Sequence, residues 1–231
     1  MIKKIVSIPG ALIVVVIYFL VSLGFWQLDR ADEKRDIERQ IFEAQSSKPK
    51  LISNPLELIK KEHYNVLVSG HYAADLQFIY DNQIVNSNAG YYVMTPFIMN
   101  DRQSILINRG FIPWNGRRDR IADITIDDQQ RTIEVSLIRP VQRPELSKEK
   151  TTKKFPMLIQ SLNIEQLSSQ SKLDLIPITG RLKKTQRDGF FRQWKPFYGS
   201  VDKHLGYALQ WFLMALALFI ISLRLLLKRS A

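Results

Sequence analysis

Two apolar stretches without any charged residue lie near opposite ends of the chain, with a long polar region between them. The first covers residues 5–26, and the second covers residues 205–223 and is followed by Arg224. Each is close to the ~20 residues that an α-helix needs to cross the hydrocarbon core of a bilayer. The pattern therefore predicts a first transmembrane helix over residues 5–28 and a second over residues 204–227.

The region between the two stretches alternates between apolar and polar positions. Short segments rich in Val, Ile, Tyr and Phe are separated by turn-forming residues, which is typical of strands. The predicted strands cover residues 64–70, 77–85, 90–99, 103–112, 131–139, 157–162 and 177–184. Because no strand-helix-strand alternation occurs, a doubly wound domain is not expected. The predicted fold is a membrane-anchored α+β structure, in which a two-helix transmembrane hairpin brackets one mostly antiparallel, β-rich domain over residues 29–203.

Several shorter signals complete this prediction. Residues 29–44 are charged and lack Gly and Pro, so the first span should continue as a helix until Pro49 interrupts it. Asn54 and Asn163 are suitable N-caps for two short helices over residues 54–58 and 163–171. Asn100 and Asp101 indicate a turn. Residues 146–154 are basic and polar and are expected to form a loop.

The charges that flank the two spans predict their orientation. Lys3 and Lys4 precede the first span, and Arg224, Lys228 and Arg229 close the second. The positive-inside rule then places both termini in the cytoplasm and the central domain in the periplasm. A cleaved signal peptide is the alternative, with residues 22–24 as the cleavage site. The apolar run is long for a signal peptide, and Trp26 suits an interfacial anchor, so an uncleaved span is expected.

Charge and composition narrow the possible functions. The net charge is +11, but 28 of the 33 basic residues share the central region with all 22 acidic ones. Such mixed charge indicates a solvated surface, and an exported domain is not expected to bind nucleic acid. The absence of cysteine excludes disulfides, thiolate nucleophiles and Cys-based metal sites. His63, His71 and Asp75 form at most a weak metal site, and a solvated surface pair is the favoured interpretation. No catalytic constellation is evident, so enzymatic activity is not expected.

Five local motifs follow one another along the chain. They are GFWQLDR at 24–30 with Lys34, GHY at 70–72, GYYVMTP at 90–96, LINRGFIP at 106–113 and HLGYALQWF at 204–212. In this order, around two terminal spans, they resemble the surfeit locus protein 1 family. Lys203 stands where that family usually has Asn, and Phe111 replaces a common Trp. The basic stretch at 146–154 matches no motif of the family.

The resemblance implies a role in the biogenesis of cytochrome c oxidase, in a bacterial inner membrane. It implies delivery of heme a to the oxidase core subunit, or its stabilisation there, with the core subunit, heme a synthase and membrane lipid as partners. Two alternatives stay open. One is a chaperone of the core subunit that binds no cofactor. The other is a two-span sensor or polysaccharide chain-length regulator, although residues 228–231 are too short for an output domain.

The resemblance also suggests site residues. His204 is the candidate ligand of heme iron, because an imidazole nitrogen is a common axial ligand. Trp211 lies seven residues on and shares its helix face, and Tyr207 lies near that face. Small residues at 208 and 215 would let a macrocycle or another helix approach closely. The alternative for the three larger side chains is simple anchoring at the membrane interface.

The remaining motif residues are assigned to heme contact or to structure. If the spans pack antiparallel, Trp26, Gln27 and Arg30 lie at the depth of His204. Arg30 is then a candidate partner for a heme propionate, and an ion pair with Glu33 is the alternative. Gly110 permits a bulge or a close backbone approach, and Arg109 is expected to brace the domain against the hairpin or to contact a partner. Structural or partner roles are expected for Trp26, Gln27, Gly90, Tyr91, Pro96, Arg109 and Gly110.

Overall fold

The computed structural model describes residues 8–99, 103–116, 120–141, 154–194 and 200–230. The chain forms two compact units. A helical unit comprises Met1–Gln40 and Pro196–Ala231, and a β unit comprises Ile41–Lys195. Several sequence predictions fall outside the described residues: the loop at 146–154 except its last residue, the turn at Asn100 and Asp101, and the flanking residues Lys3 and Lys4.

Four helices lie among the described residues. They are α1 (Ile8–Ser46), α2 (Pro55–Ile59), α3 (Ile164–Ser171) and α4 (Val201–Ser230). The two long helices are apolar enough to cross a bilayer over Gly10–Ser46 and Val201–Lys228. In the most apolar segment of each helix, only 11% and 6% of the residues are buried, so most apolar side chains of these segments are exposed. Exposed apolar surface of this extent suits lipid rather than water, which supports membrane anchoring.

The polar continuation of the first helix is confirmed. The helix α1 runs to Ser46 without a break, and its polar part carries three ion pairs at i,i+3 spacing. They are Arg30 with Glu33, Asp32 with Arg35, and Asp36 with Arg39. Each pair contributes about 0.2–0.5 kcal/mol to a solvated helix. The predicted caps of the short helices are also present, because Asn54 accepts from the Leu56 amide and Asn163 from the Gln166 amide.

The β unit is built on one eight-stranded sheet. Its strands are β1 (Lys50–Leu51), β2 (Asn65–Tyr72), β3 (Phe78–Val85), β4 (Asn88–Ile98), β5 (Ser104–Pro113), β6 (Arg131–Ile138), β7 (Met157–Ile159) and β8 (Leu175–Leu182). The order is β1-β2-β6-β8-β5-β4-β3-β7, and an additional pairing joins β2 to β4. That pairing closes β2, β6, β8, β5 and β4 into a barrel, which removes the free edges of these five strands.

The sheet is mostly antiparallel, as predicted. Only the pairs β1–β2, β3–β7 and β5–β8 are parallel. All seven predicted strands are present, and most of their ends agree within two residues. The largest difference is at β7, which ends at Ile159 instead of 162. The strand β1 was not predicted, because two residues are too few to show alternation.

Three apolar clusters are buried in the β unit, and the two larger ones lie on opposite sides of the sheet. The first lies on one face of the barrel strands and contains Tyr72, Phe97 and Leu137, with Leu58 of α2 packed into it. The second lies on the other side and contains Phe78 and Met157, with α3 contributing Ile164 and Leu167. Each short helix therefore covers one cluster, and burial of large apolar side chains on both sides of the sheet stabilises the closed barrel.

Candidate functional site

The helical unit brings His204 into contact with Gln27. Nδ1 of His204 on α4 lies 2.8 Å from Oε1 of Gln27 on α1, and the Gln27 side chain is buried. An amide oxygen only accepts hydrogen bonds, so Nδ1 is the donor. In the neutral imidazole the other nitrogen, Nε2, then carries a lone pair. The pair thus holds the ring in one tautomer, with Nε2 as its available electron donor.

A second contact shows that the two helices run antiparallel. A Cβ built on Gly24 of α1 would lie 2.5 Å from the Phe212 ring of α4, which leaves room only for glycine. The ring of Phe212 also meets that of Phe25 edge to face, with centroids 5.4 Å apart. Residues 24 and 27 thus contact residues 212 and 204 in reverse order. The sequence predicted that Gln27 lies at the depth of His204 if the two spans pack antiparallel, and the spans do so.

The face of α4 that carries His204 continues along the helix. Ala208 and Ala215 are buried, whereas Leu209, Leu213 and Leu216 are exposed. The indole Nε1 of Trp211 on this face is buried and has no hydrogen-bond partner in the described part of the chain. A buried N–H without a hydrogen-bond partner is uncommon in proteins.

Three other residues proposed for this site are exposed or have a partner of their own. Tyr207 and Trp26 are about half exposed, at 51% and 52%. Such positions suit aromatic side chains at a membrane interface. Arg30 forms an ion pair with Glu33 at 2.5 Å. The structure therefore brings Gln27 to His204, leaves Tyr207 and Trp26 half exposed, and gives Arg30 the partner Glu33.

The residue Arg109 is buried inside the β unit, where it is 3% exposed. Its Nη1 donates to Oε1 of Gln77 and to the carbonyl of Ile124, both at 2.9 Å. Its Nε donates to the carbonyl of Asp188 at 2.8 Å. Desolvation lowers the pKa of the Arg109 guanidinium. These contacts assign Arg109 to bracing within the domain itself.

A β-bulge directs Arg109 inward. Val93 pairs with Gly110 and the next residue, Met94, pairs with Asn108, so Arg109 has no partner across the β4–β5 ladder. Gly110 adopts φ +127°, a value that other residues avoid. Oδ1 of Asn108 accepts from the Gly110 amide at 3.0 Å and stabilises the bulge. The bulge predicted at Gly110 is confirmed, and its effect is to re-aim one side chain.

The other motif residues of β4 contact neighbouring parts of the β unit. Gly90 pairs with Pro113 of β5, and Pro96 accepts from the Ala73 amide at 2.9 Å. Tyr91 is buried against Trp114, with ring centroids 4.5 Å apart, and its hydroxyl accepts from the Ala122 amide at 3.0 Å. Burial raises the pKa of Tyr91. These contacts give the motif a role in building the sheet.

Some residues of this network gave no sequence signal. Gln77 and Asp188 lie 32 and 79 positions from Arg109, and only folding brings them to it. The weak metal site suggested at His63, His71 and Asp75 is not assembled. Among the described residues, no three His, Asp or Glu side chains are grouped so that they could hold a metal ion.

Comparison with known proteins gives a family match over most of the chain. The model of the SURF1 family matches residues 14–216. A SURF1-like protein of Rickettsia conorii is 27% identical over 221 residues, which is 91% of this chain and 88% of that relative. A SURF1-like protein of Rickettsia bellii is 30% identical over 131 residues, 54% of this chain, and this alignment spans about half of that relative, 52%. Surfeit locus protein 1 of Xenopus tropicalis is 31% identical over 109 residues, 40% of this chain and 36% of the relative.

Proposed function

We propose that this chain, which belongs to the SURF1 family, is an assembly factor for cytochrome c oxidase that aids delivery of heme a to the core subunit or its stabilisation there. Members of the family are generally known as assembly factors of this oxidase rather than as enzymes. The proposed role is accordingly one of binding and transfer. The oxidase core subunit and heme a synthase are the proposed protein partners, within a lipid bilayer.

The hydrogen bond between His204 and Gln27 is the observation that carries the heme proposal. Ligand histidines usually donate their second ring N–H to an oxygen acceptor, which sets the tautomer and the ring orientation. The Gln27 carbonyl is in this position, 2.8 Å from Nδ1. The donor chemistry at His204 therefore fits an axial heme ligand that uses Nε2.

Two further residues are assigned by the same reasoning. The unpartnered indole N–H of Trp211 can donate to a polar group on the edge of the macrocycle. Heme a, when bound, supplies an iron that accepts one imidazole nitrogen and a planar apolar ring that suits a site between membrane helices. Arg30 has Glu33 as its partner, so a propionate contact would require it to exchange that partner.

We further propose that the chain lies in the bacterial inner membrane with both termini in the cytoplasm. The Lys and Arg residues that flank the two apolar segments support this orientation. The β unit then lies in the periplasm. There the absence of cysteine means that no disulfide contributes to its stability.

Reporter fusions test this orientation. A periplasm-active reporter inserted after Ala44 should be active, and the same reporter fused after Ala231 should be inactive, because the two positions flank one span. A cytoplasm-active reporter at the same positions is the matched control and should give the opposite pattern. Equal signals at both positions, or a mature protein that begins near Phe25, would exclude the two-span orientation.

The assembly role is tested in a bacterium that makes heme a. Deletion of the gene should lower oxidase activity and the heme a content of the membranes, and the intact chain should restore both. The core subunit should also co-purify with the chain. Normal oxidase together with a changed length of surface polysaccharide would instead favour the chain-length regulator. That function already fits the fold poorly, because such regulators have a mostly helical central part and this one is a β barrel.

A further inference from the structure

A second concave site lies in the β unit, beside the turn that joins β3 to β4. Its accessible volume is about 230 Å³. Its lining includes Ile84, Asn86, Tyr92, Arg181, Gln193 and Trp194. Pockets that enclose drug-sized molecules have volumes of about 300–1,000 Å³. This pocket is therefore suited to one functional group and the few atoms next to it.

The charge of the pocket comes from Arg181 on β8. No carboxylate forms an ion pair with Arg181 within the described ranges, and its guanidinium lies over the Trp194 ring at 5.4 Å. Desolvation lowers the pKa of Arg181, which reflects the loss of water around its charge. Burial of a charged group is costly unless a partner compensates for the lost water. Here one face of the guanidinium stacks on Trp194, and no carboxylate of the described residues pairs with its N–H groups.

The surrounding side chains are fixed by contacts of their own. The indole N–H of Trp194 donates to the carbonyl of Leu182 at 2.8 Å, and Tyr92 packs against its ring at 5.7 Å. Oε1 of Gln193 accepts a hydrogen bond from Nδ2 of Asn86 at 3.1 Å. This bond does not use the amide N–H groups of Gln193. Fixed donors reduce the entropy lost when a ligand binds.

We propose that this pocket is a binding site for a carboxylate carried on a short apolar body, with Arg181 as its recognition residue. The N–H groups on the edge of the planar guanidinium match the two oxygens of a carboxylate. The ring of Trp194 stacks on one face of the guanidinium and leaves that edge to the ligand. Tyr92 and Gln193 supply further hydrogen-bond donors, and Ile84, which is 76% exposed, supplies an apolar rim. One arginine balances the single charge of a carboxylate, whereas a phosphate dianion would remain half neutralised.

This site is independent of the proposed heme function, because all of its residues belong to the β unit. Its ligand can be a free organic acid or the C-terminal carboxylate of a polypeptide, since both present the same group. The probes that separate these sources are benzoate, a short peptide with an apolar residue at its free C-terminus, and the same peptide with an amidated C-terminus.

The test is calorimetric titration of the full chain in detergent with each probe and with inorganic phosphate. The wild type should bind benzoate or the free-acid peptide and should not bind the amidated peptide. Arg181→Met should weaken binding about 10- to 100-fold, because hydrogen bonds to a charged group are lost. The affinity of Arg181→Lys should lie between those of the wild type and Arg181→Met. Arg187→Gln changes an exposed position outside the pocket and should bind as tightly as the wild type.

Thermal unfolding separates a binding role from a structural one. A desolvated charge that has no carboxylate partner among the described residues does not favour folding. Arg181→Met should therefore unfold at or above the temperature of the wild type. Absence of carboxylate binding by the wild type, or unchanged binding by Arg181→Met, would overturn the proposal. Binding of phosphate in preference to both carboxylate probes would overturn it as well.

Discussion

Replacement of His204 by Ala is expected to remove most of the heme a that co-purifies with the chain from cells that make this cofactor. The substitution deletes the only nitrogen that the proposed site offers to the iron. Gln27→Leu should weaken retention about 10- to 100-fold, because loss of an outer hydrogen bond to a ligand histidine has an effect of this size. His204→Ala should have an effect at least as large. The measurement is the heme to protein ratio, together with the position of the Soret band.

Two variants on the same helix serve as matched controls. Leu209→Ala changes an exposed side chain that lies five residues from His204, on another face of the helix, and should leave heme retention unchanged. Trp211→Phe keeps an apolar ring but removes the unpartnered N–H, so it should have a smaller effect than His204→Ala. The ligand assignment is wrong if His204→Ala and Gln27→Leu both retain full heme and both keep the Soret band of the wild type.

The second large effect is expected at Arg109, and it concerns stability. Arg109→Met should lower the free energy of unfolding of the β unit by about 3–5 kcal/mol. The substitution removes three hydrogen bonds of a charged guanidinium, to Oε1 of Gln77 and to the carbonyls of Ile124 and Asp188. Oε1 of Gln77 keeps the Thr95 hydroxyl and the Ile124 carbonyl keeps the Gln77 amide, whereas the Asp188 carbonyl loses its donor. Hydrogen bonds to charged groups contribute about 1.5–3 kcal/mol each, and the donors that remain reduce the total loss. Urea unfolding of the full chain in detergent, followed by near-ultraviolet circular dichroism, measures the loss.

A second arginine of the β unit provides the control for this prediction. Arg139 is exposed and forms an ion pair with Glu62 at 3.0 Å. Arg139→Gln should cost at most about 1 kcal/mol, as is usual for surface pairs. Arg109→Lys keeps the charge but cannot reach three acceptors from one ammonium group, so it should remain clearly destabilised. Equal stability of Arg109→Met and the wild type would show that the network does not hold the barrel.

The elements of this fold were predictable because local patterns determine them. The apolar runs gave the two long helices, and alternation gave seven strands. Asn54 and Asn163 identified the caps of the short helices. Barrel closure was not predictable, because it depends on the β2–β4 pairing between His71 and Ile98 and between Tyr72 and Phe97. Such pairings bring together residues far apart in sequence, and no local signal encodes them.

In the candidate sites, too, local features were predictable and contacts between distant residues were not. Gly110 permitted a bulge or a close backbone approach, and the structure has the bulge, but the partners of Arg109 lie too far along the chain to be recognised. The antiparallel arrangement placed Gln27 near His204, whereas the specific hydrogen bond needed coordinates. The pocket around Arg181 gave no signal, because residues 86, 92, 181 and 194 follow no motif spacing.

The absorption spectrum of the wild-type chain is the most direct test of the central claim. The protein should be purified in mild detergent from cells that synthesise heme a and, in parallel, from cells that lack heme a synthase. The heme a proposal predicts a heme a spectrum in the first preparation and none in the second. A wild-type preparation that carries no heme from heme-a-producing cells, yet restores oxidase assembly, would contradict heme binding and establish a cofactor-free chaperone instead.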